Sequence, residues 1–289
     1  MGQVTRDDGV RLHYEVTGSG DAVVLIHGIG STSRSFAPLV QQLPPTYRCV
    51  TVDLRGYGDS EDDPVAAGWE TFAEDVGAVL GAEHITRAHV VAASAGTLTA
   101  LTLCRRRPDR VRSLTLIGPT LGDAADPPEA TRRLADRQAA LTETDIGPDR
   151  RAARMAGPRI SAAAFALLRS EHARIRTAGY GVVAQLLART DASTWLPAVR
   201  VPTRVLVGQA DGITGPRIAE QVCRLLPCAD LVPMPKVGHS PHVEEPEATA
   251  SLLQVMLVRH EAGSREASHN GSFNLRSQAD GDAVRYRRP

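Results

Sequence analysis

The chain has 289 residues, 42% of them apolar and 23% charged, which excludes a wholly disordered protein and suits one α/β unit with an insertion. Its 33 basic and 33 acidic side chains cancel, so the general positive field of a nucleic-acid-binding protein is excluded too. No apolar run approaches the ~18 residues of a membrane span. The four cysteines form no C-x-x-C pair, and no spacing of His, Cys or carboxylates suggests a metal site. The polar start, Met1 to Val16, lacks the apolar stretch of a signal peptide, which makes a cytoplasmic location the expectation.

In chain order, alternation over Val10, Leu12, Tyr14 and Val16 predicts short N-terminal strands. The continuous run Ala22-Val23-Val24-Leu25-Ile26 predicts a strand buried on both faces, as in a parallel sheet. A helix from about Ser33 to Leu43 is stopped by Pro44-Pro45. A second buried strand, Cys49 to Asp53, ends in the turn Leu54-Arg55-Gly56-Tyr57-Gly58-Asp59-Ser60, which Asp53 and Arg55 are expected to tie together. A helix follows from Trp69 to about Leu80, then the strand Ala88 to Ala92, a helix to Arg107 and the strand Val111 to Ile117. From Pro127 to about Trp195 only helices are expected. Strand–helix alternation then resumes with Thr203–Val207, a helix near Pro216–Leu226, the strand Asp230–Val232 and a last helix over Pro246–Val258. The pattern predicts a mostly parallel eight-stranded α/β sheet with helices on both faces. Residues 1–120 and 197–260 would form the core, 121–196 a helical cap, and 261–289 a disordered tail.

The strongest chemical signal is Val90-Val91-Ala92-Ala93-Ser94-Ala95-Gly96. A buried strand ends, a serine sits among very small residues, and a helix begins at once. Such a bend holds its central side chain out above the carboxyl edge of the sheet, with helix amides behind it. Serine is a weak nucleophile and needs a base, which in turn needs orienting. His239, after the last strand, and Asp211, after Thr203–Val207, stand at neighbouring carboxyl ends, where three side chains can converge. On position alone His242 rivals His239, and Asp123 rivals Asp211. The Ala95 amide, and the Ile29 amide in His27-Gly28-Ile29-Gly30, are placed to hold an oxyanion. His84, His89 and His172 read as packing or surface residues.

The order Ser94…Asp211…His239, the loop His27-Gly28-Ile29-Gly30, the turn Asp53 to Ser60, and Gly238-His239 followed by Glu245-Pro246 resemble the α/β-hydrolase superfamily over about residues 3–258. The resemblance implies an α/β-hydrolase fold with a helical cap and a Ser-His-Asp triad. It favours His239 over His242 and Asp211 over Asp123, makes Ile29 and Ala95 the oxyanion donors, and gives His27, Gly28 and Gly30 a supporting role. It implies no cofactor and no metal. One departure is Ala92, where the family's bend usually has glycine; a slightly adjusted turn is expected. Serine at the bend argues against the dehalogenases and epoxide hydrolases of the superfamily, which use aspartate there.

The expected activity is cleavage of a small carboxylic ester or lactone through a Ser94 acyl-enzyme. A C–C bond hydrolase, a biosynthetic-pathway hydrolase and a non-hydrolytic small-molecule binder are the alternatives. Between Pro127 and Thr190 eleven arginines stand against six acids. That excess reads either as solvated helix faces or as a clamp for an anionic substrate. Phe165, Tyr180 and Trp195 are the aromatic candidates for a pocket wall. The partner is a small molecule, with neither nucleic acid nor membrane, and oligomeric state is left open.

Overall fold

Asp21–Ile26 carries no polar side chain beyond its first residue, and it forms β3 near the middle of an eight-stranded sheet. The computed structural model describes residues 1–62, 68–142 and 147–269, with side chains described to residue 258. The strands are β1 (Gly2–Thr5), β2 (Arg11–Thr17), β3, β4 (Tyr47–Val52), β5 (Ala88–Ala93), β6 (Val111–Ile117), β7 (Thr203–Gly208) and β8 (Ala229–Met234), in the spatial order β1-β2-β4-β3-β5-β6-β7-β8. β1 and β2 pair antiparallel with each other, as do β2 and β4; the remaining pairs are parallel.

Side chains alternate across each inner strand, so two cores form. Val24 and Ile26 of β3 and Val90 and Ala92 of β5 join one cluster, with Phe72, Val76, Leu98 and Leu101 from α2 (Trp69–Ala82) and α3 (Gly96–Arg106). Val23, Leu25, Val91 and Ala93 face the other way. They pack on Leu39 of α1 (Ala37–Gln42) and on Leu253 and Leu257 of the last helix, α10 (Pro246–His269). Each such leucine, removed from water, contributes about 2 kcal/mol. α10 carries helix past Val258 into the stretch assigned above to a tail; residues 270–289 lie outside the described residues. Among the described residues no helix is long and apolar enough to cross a membrane. Cys49 and Cys104 are buried free thiols, and Cys223 and Cys228 are also unpaired.

Between β6 and β7 stand α4 (Pro127–Thr142), α5 (Pro148–Met155), α6 (Ala162–Ala173) and α7 (Thr177–Arg189), with no strand among the described residues there. α8 (Gly215–Leu225) follows β7, and α9 (Pro241–Glu244) follows β8. The insertion is seated on the core by backbone contact. A methyl group on Gly56 would lie 2.7 Å from the Gly179 Cα, and the Tyr57 hydroxyl donates to the Gly179 carbonyl at 3.1 Å. Ala152, Ala164 and Leu168 of the insertion share a small apolar cluster with Val243 of α9.

Asp53 ties its turn as expected, accepting from the amides of Ser33 (2.8 Å) and Asp59 (3.0 Å) and pairing with His13 (3.1 Å). Arg55 reaches beyond it. Its guanidinium grips Asp75 of α2 at 2.6 and 2.7 Å and Asp8 at 2.9 Å. Asp75 is fully buried, and the Arg55 fork together with Arg6, whose Nε lies 2.9 Å from Oδ1, compensates its charge there.

Candidate active site

The chain leaves β5 at Ala93 and enters α3 at Gly96 with no loop between them, so one residue must absorb the reversal. Ser94 does so at φ 49°, in the left-handed region that side chains rarely adopt. Its amide donates to the Ile117 carbonyl at 2.8 Å, which anchors the bend to β6. Gly96 is required by proximity: a methyl there would lie 2.3 Å from the His27 carbonyl oxygen. Ala92, two residues before the serine, is fully buried and stays in register with Ile26 and Leu116, so the extra methyl group is accommodated.

Gly28 meets the same bend from the side. A methyl on it would lie 2.8 Å from the Ser94 Cβ and 3.4 Å from the Ala95 amide nitrogen. The loop Gly28–Gly30 and the start of α3 are thereby set face to face beside the serine. His27 braces the loop: Nδ1 lies 2.9 Å from the Gly28 carbonyl, and Nε2 accepts the Leu54 amide at 3.1 Å.

His239 and Asp211 are brought together from separate strands, with Nδ1 2.9 Å from Oδ2 and both side chains buried. Burial works against the Asp211 charge. The His239 imidazole, the Ile213 amide (2.8 Å) and the Thr214 hydroxyl (3.0 Å) outweigh it and hold the carboxyl far below the usual range. The rival acid Asp123 is engaged elsewhere, with Arg137 at 2.6 Å and Arg133 at 3.3 Å. The rival His242 stacks on Phe36 at 4.7 Å, and its Nδ1 is buried without a hydrogen-bond partner among the described residues.

The loop carrying His239 is fastened to the helical insertion. The His239 amide donates to the Met155 carbonyl at 2.7 Å. Glu244 accepts the amides of Gly157 (2.7 Å), Gly238 (3.0 Å) and Ser240 (3.2 Å). Gly238 must lack a side chain because a methyl there would sit 2.2 Å from that same Met155 oxygen.

Burial, reinforced by His239, pushes His242 down to about 3; burial, Arg151 and His239 push His172 down to about 4. Both imidazoles are therefore neutral when folded, whereas unfolded they charge near pH 6.5. A depressed folded value makes the stabilising contribution complete above pH 6.5 and lost as pH falls toward the folded value. Stability is expected to drop by about 1.4 kcal/mol per histidine per pH unit below that point. His242→Phe, which keeps the ring against Phe36, is expected to flatten the melting-temperature curve between pH 6.5 and 5. An unchanged slope would contradict this assignment.

Ser94, His239, Ile29 and Ala95 all border one cavity of about 260 Å³ beneath the insertion. Tyr180 is in its wall, while Phe165 packs beside the α5–α6 cluster and Trp195 lies under Arg105 at 5.0 Å. Five insertion arginines reach the cavity: 132, 133, 137, 151 and 154. The first three are matched by Glu129, Asp136 and Asp123. Among the described residues Arg151 and Arg154 face no carboxylate within ion-pair distance. His172, which reads from sequence as packing or surface, lines the cavity, as does Glu171. His13, Asp53 and Asp59 place ligand atoms within 4.8 Å of one another, but Asp53 already accepts from two amides and pairs with His13.

Residues 23–252 match the family model described as the alpha/beta hydrolase family. A pimeloyl-[acyl-carrier protein] methyl ester esterase from Neisseria meningitidis is 29% identical over 262 residues, covering 80% of this chain and 91% of that protein. A malate-bound thermophilic esterase from Thermogutta terrifontis superposes with a TM-score of 0.81 at 27% identity, over 90% of this chain and 99% of that one. The enol-lactonase of Burkholderia xenovorans shares the fold, with a TM-score of 0.76 at 22% identity over 89% and 100% of the two chains.

Proposed function

The chain belongs to the alpha/beta hydrolase family and is an ester hydrolase, and from that premise we propose that it cleaves small carboxylic esters, lactones included, through an acyl-enzyme on Ser94. The observation that carries the reading is the left-handed Ser94 beside a cavity that His239, bonded to Asp211, also borders.

Asp211 takes the Nδ1 proton of His239 as a hydrogen bond, which leaves Nε2 bare to accept the Ser94 proton. The Ser94 oxygen then attacks the ester carbonyl, and the amides of Ile29 and Ala95 receive the developing oxyanion. The imidazolium gives its proton to the departing alkoxide, leaving the acyl group on Ser94. Water, deprotonated by the same imidazole, attacks that ester; the acid departs and Ser94 regains its proton. Asp211 remains ionised throughout and stabilises the imidazolium.

The test is turnover of p-nitrophenyl acetate. Ser94→Ala is expected to lower kcat by about three orders of magnitude or more at an unchanged melting temperature. Equal turnover by the variant would refute the assignment.

The same proposal takes the substrate's acyl chain to be acidic. Arg151 and Arg154 at the cavity supply donors for a carboxylate. The Thermogutta relative is described as malate-bound, which supports an acid-bearing acyl group. Arg154→Ala and Arg151→Ala are expected to raise KM for monomethyl esters of dicarboxylic acids by about tenfold, and for neutral methyl esters far less. Equal changes for both substrates would count against an anionic acyl chain.

A further inference from the structure

We propose that Glu171 and His172 form a hydrogen-bond-accepting subsite that selects esters whose acyl chain carries a hydroxyl group close to the reacting carbonyl. This deepens the serine-ester reading and rests on it for the placement of the acyl chain.

Glu171 is 2% exposed. Its Oε2 is fully used: it accepts the Thr32 amide at 2.7 Å, the Thr32 hydroxyl at 2.8 Å and the Ser31 hydroxyl at 3.4 Å. Its Oε1 is buried with no partner among the described residues, although Glu171 borders the cavity. Leaving a buried oxygen unsatisfied is costly, so a protein seldom keeps one without a use.

His172 supplies a second acceptor. Its Nε2 lies 2.9 Å from the Met155 sulfur, a weak acceptor, which places the ring proton on Nε2. The ring is neutral, because burial and the nearby Arg151 push its titration down to about 4. Nδ1 is therefore a bare lone pair, and it too is buried without a partner among the described residues. It would lie 3.5 Å from a methyl placed on Gly30. Both acceptors belong to residues that border the same cavity, and a hydroxyl donor from the ligand would satisfy them where an apolar chain or a carboxylate would not.

The distance to the reacting carbon follows from the loop. Gly28 abuts Ser94, and His172 abuts Gly30, two residues on. Two Cα steps span at most about 7.6 Å. That bound keeps the subsite within a few carbons of a carbonyl held at Ser94, and a 3-hydroxyacyl ester is the probe that samples it.

The experiment uses the Ser94→Ala protein, which holds an ester without cleaving it. Methyl (R)- and (S)-3-hydroxybutyrate and methyl butyrate are titrated by calorimetry. One hydroxy enantiomer is expected to bind about tenfold or more tighter than methyl butyrate. Adding Glu171→Gln keeps an oxygen for Thr32 but turns the free atom into a donor. Adding His172→Phe keeps the ring and removes the lone pair. Each change is expected to shrink the preference to about threefold or less. Equal binding of the hydroxylated and plain esters would overturn the subsite, as would a preference that survives both changes. The outcome is independent of turnover: an inert wild-type enzyme with the binding preference would sink the acyl-enzyme and keep the subsite.

Discussion

Asp211→Asn is expected to lower kcat for p-nitrophenyl acetate by about 10⁴-fold. The argument is one of tautomers. The native carboxylate accepts from His239 Nδ1 at 2.9 Å, so the proton sits on Nδ1 and Nε2 is a base. An asparagine keeps an oxygen for the Ile213 amide at 2.8 Å and for the Thr214 amide at 3.2 Å, and so its amino group turns toward the imidazole. It then donates to Nδ1, forces the proton onto Nε2, and removes the acceptor that Ser94 needs. The shape of the site is kept, so the fold survives, but the melting temperature near neutral pH should fall because the ionised carboxylate's contribution is lost. The variant should also lose part of the acid sensitivity of stability. The Asp211 carboxyl, depressed in the folded state, stabilises above pH ~4 and loses that contribution as pH falls further. Activity within tenfold of wild type would show that Asp211 does not orient the base.

Glu244→Ala is expected to destabilise the protein by about 3–5 kcal/mol and to lower kcat more than it raises KM. Glu244 is 9% exposed and accepts from three backbone amides, for which no other acceptor stands among the described residues. Two of the three flank His239, and the third belongs to Gly157 of the insertion. Removing the carboxylate leaves buried donors unpaired and frees both the His239 loop and the segment it is fastened to. Glu244→Gln retains one oxygen for the closely spaced Gly157 and Gly238 amides and should recover more than half of the loss. Denaturant melts and kcat for the two variants check this. A loss below about 1 kcal/mol for Glu244→Ala would contradict it.

The central sheet was legible because inner parallel strands are buried on both faces and appear as unbroken apolar runs, as in Ala22–Ile26 and Val90–Ala93. The bend at Ser94 was legible for a related reason. Close backbone approach permits only small residues, and Gly96 and Gly28 record that approach in their missing side chains. Helix after helix between β6 and β7 was also evident, because Pro127 to Trp195 contains no strand-like run.

What stayed hidden depends on contacts between distant segments. Glu171 binds Thr32, 139 residues away, and Glu244 binds Gly157, 87 residues away. In sequence each is an ordinary acid in a short helical stretch. Arg55 looked like a member of its own turn because Asp53 stands two residues before it. Its real partner, the buried Asp75, becomes evident only when α2 is laid beside that turn. His172 was indistinguishable from a surface histidine until α6 was seated over the oxyanion loop. The eleven arginines gave no sign of which would face inward, since α4 and α5 carry them on several faces.

The most direct test of the account is covalent trapping. Wild-type protein treated with a fluorophosphonate and digested should carry one label per chain, on the peptide containing Ser94, and Asp211→Asn should label far more slowly. Labelling at another cavity serine such as Ser35 or Ser240, or no labelling of folded protein at all, would contradict the claim that Ser94 is the activated nucleophile.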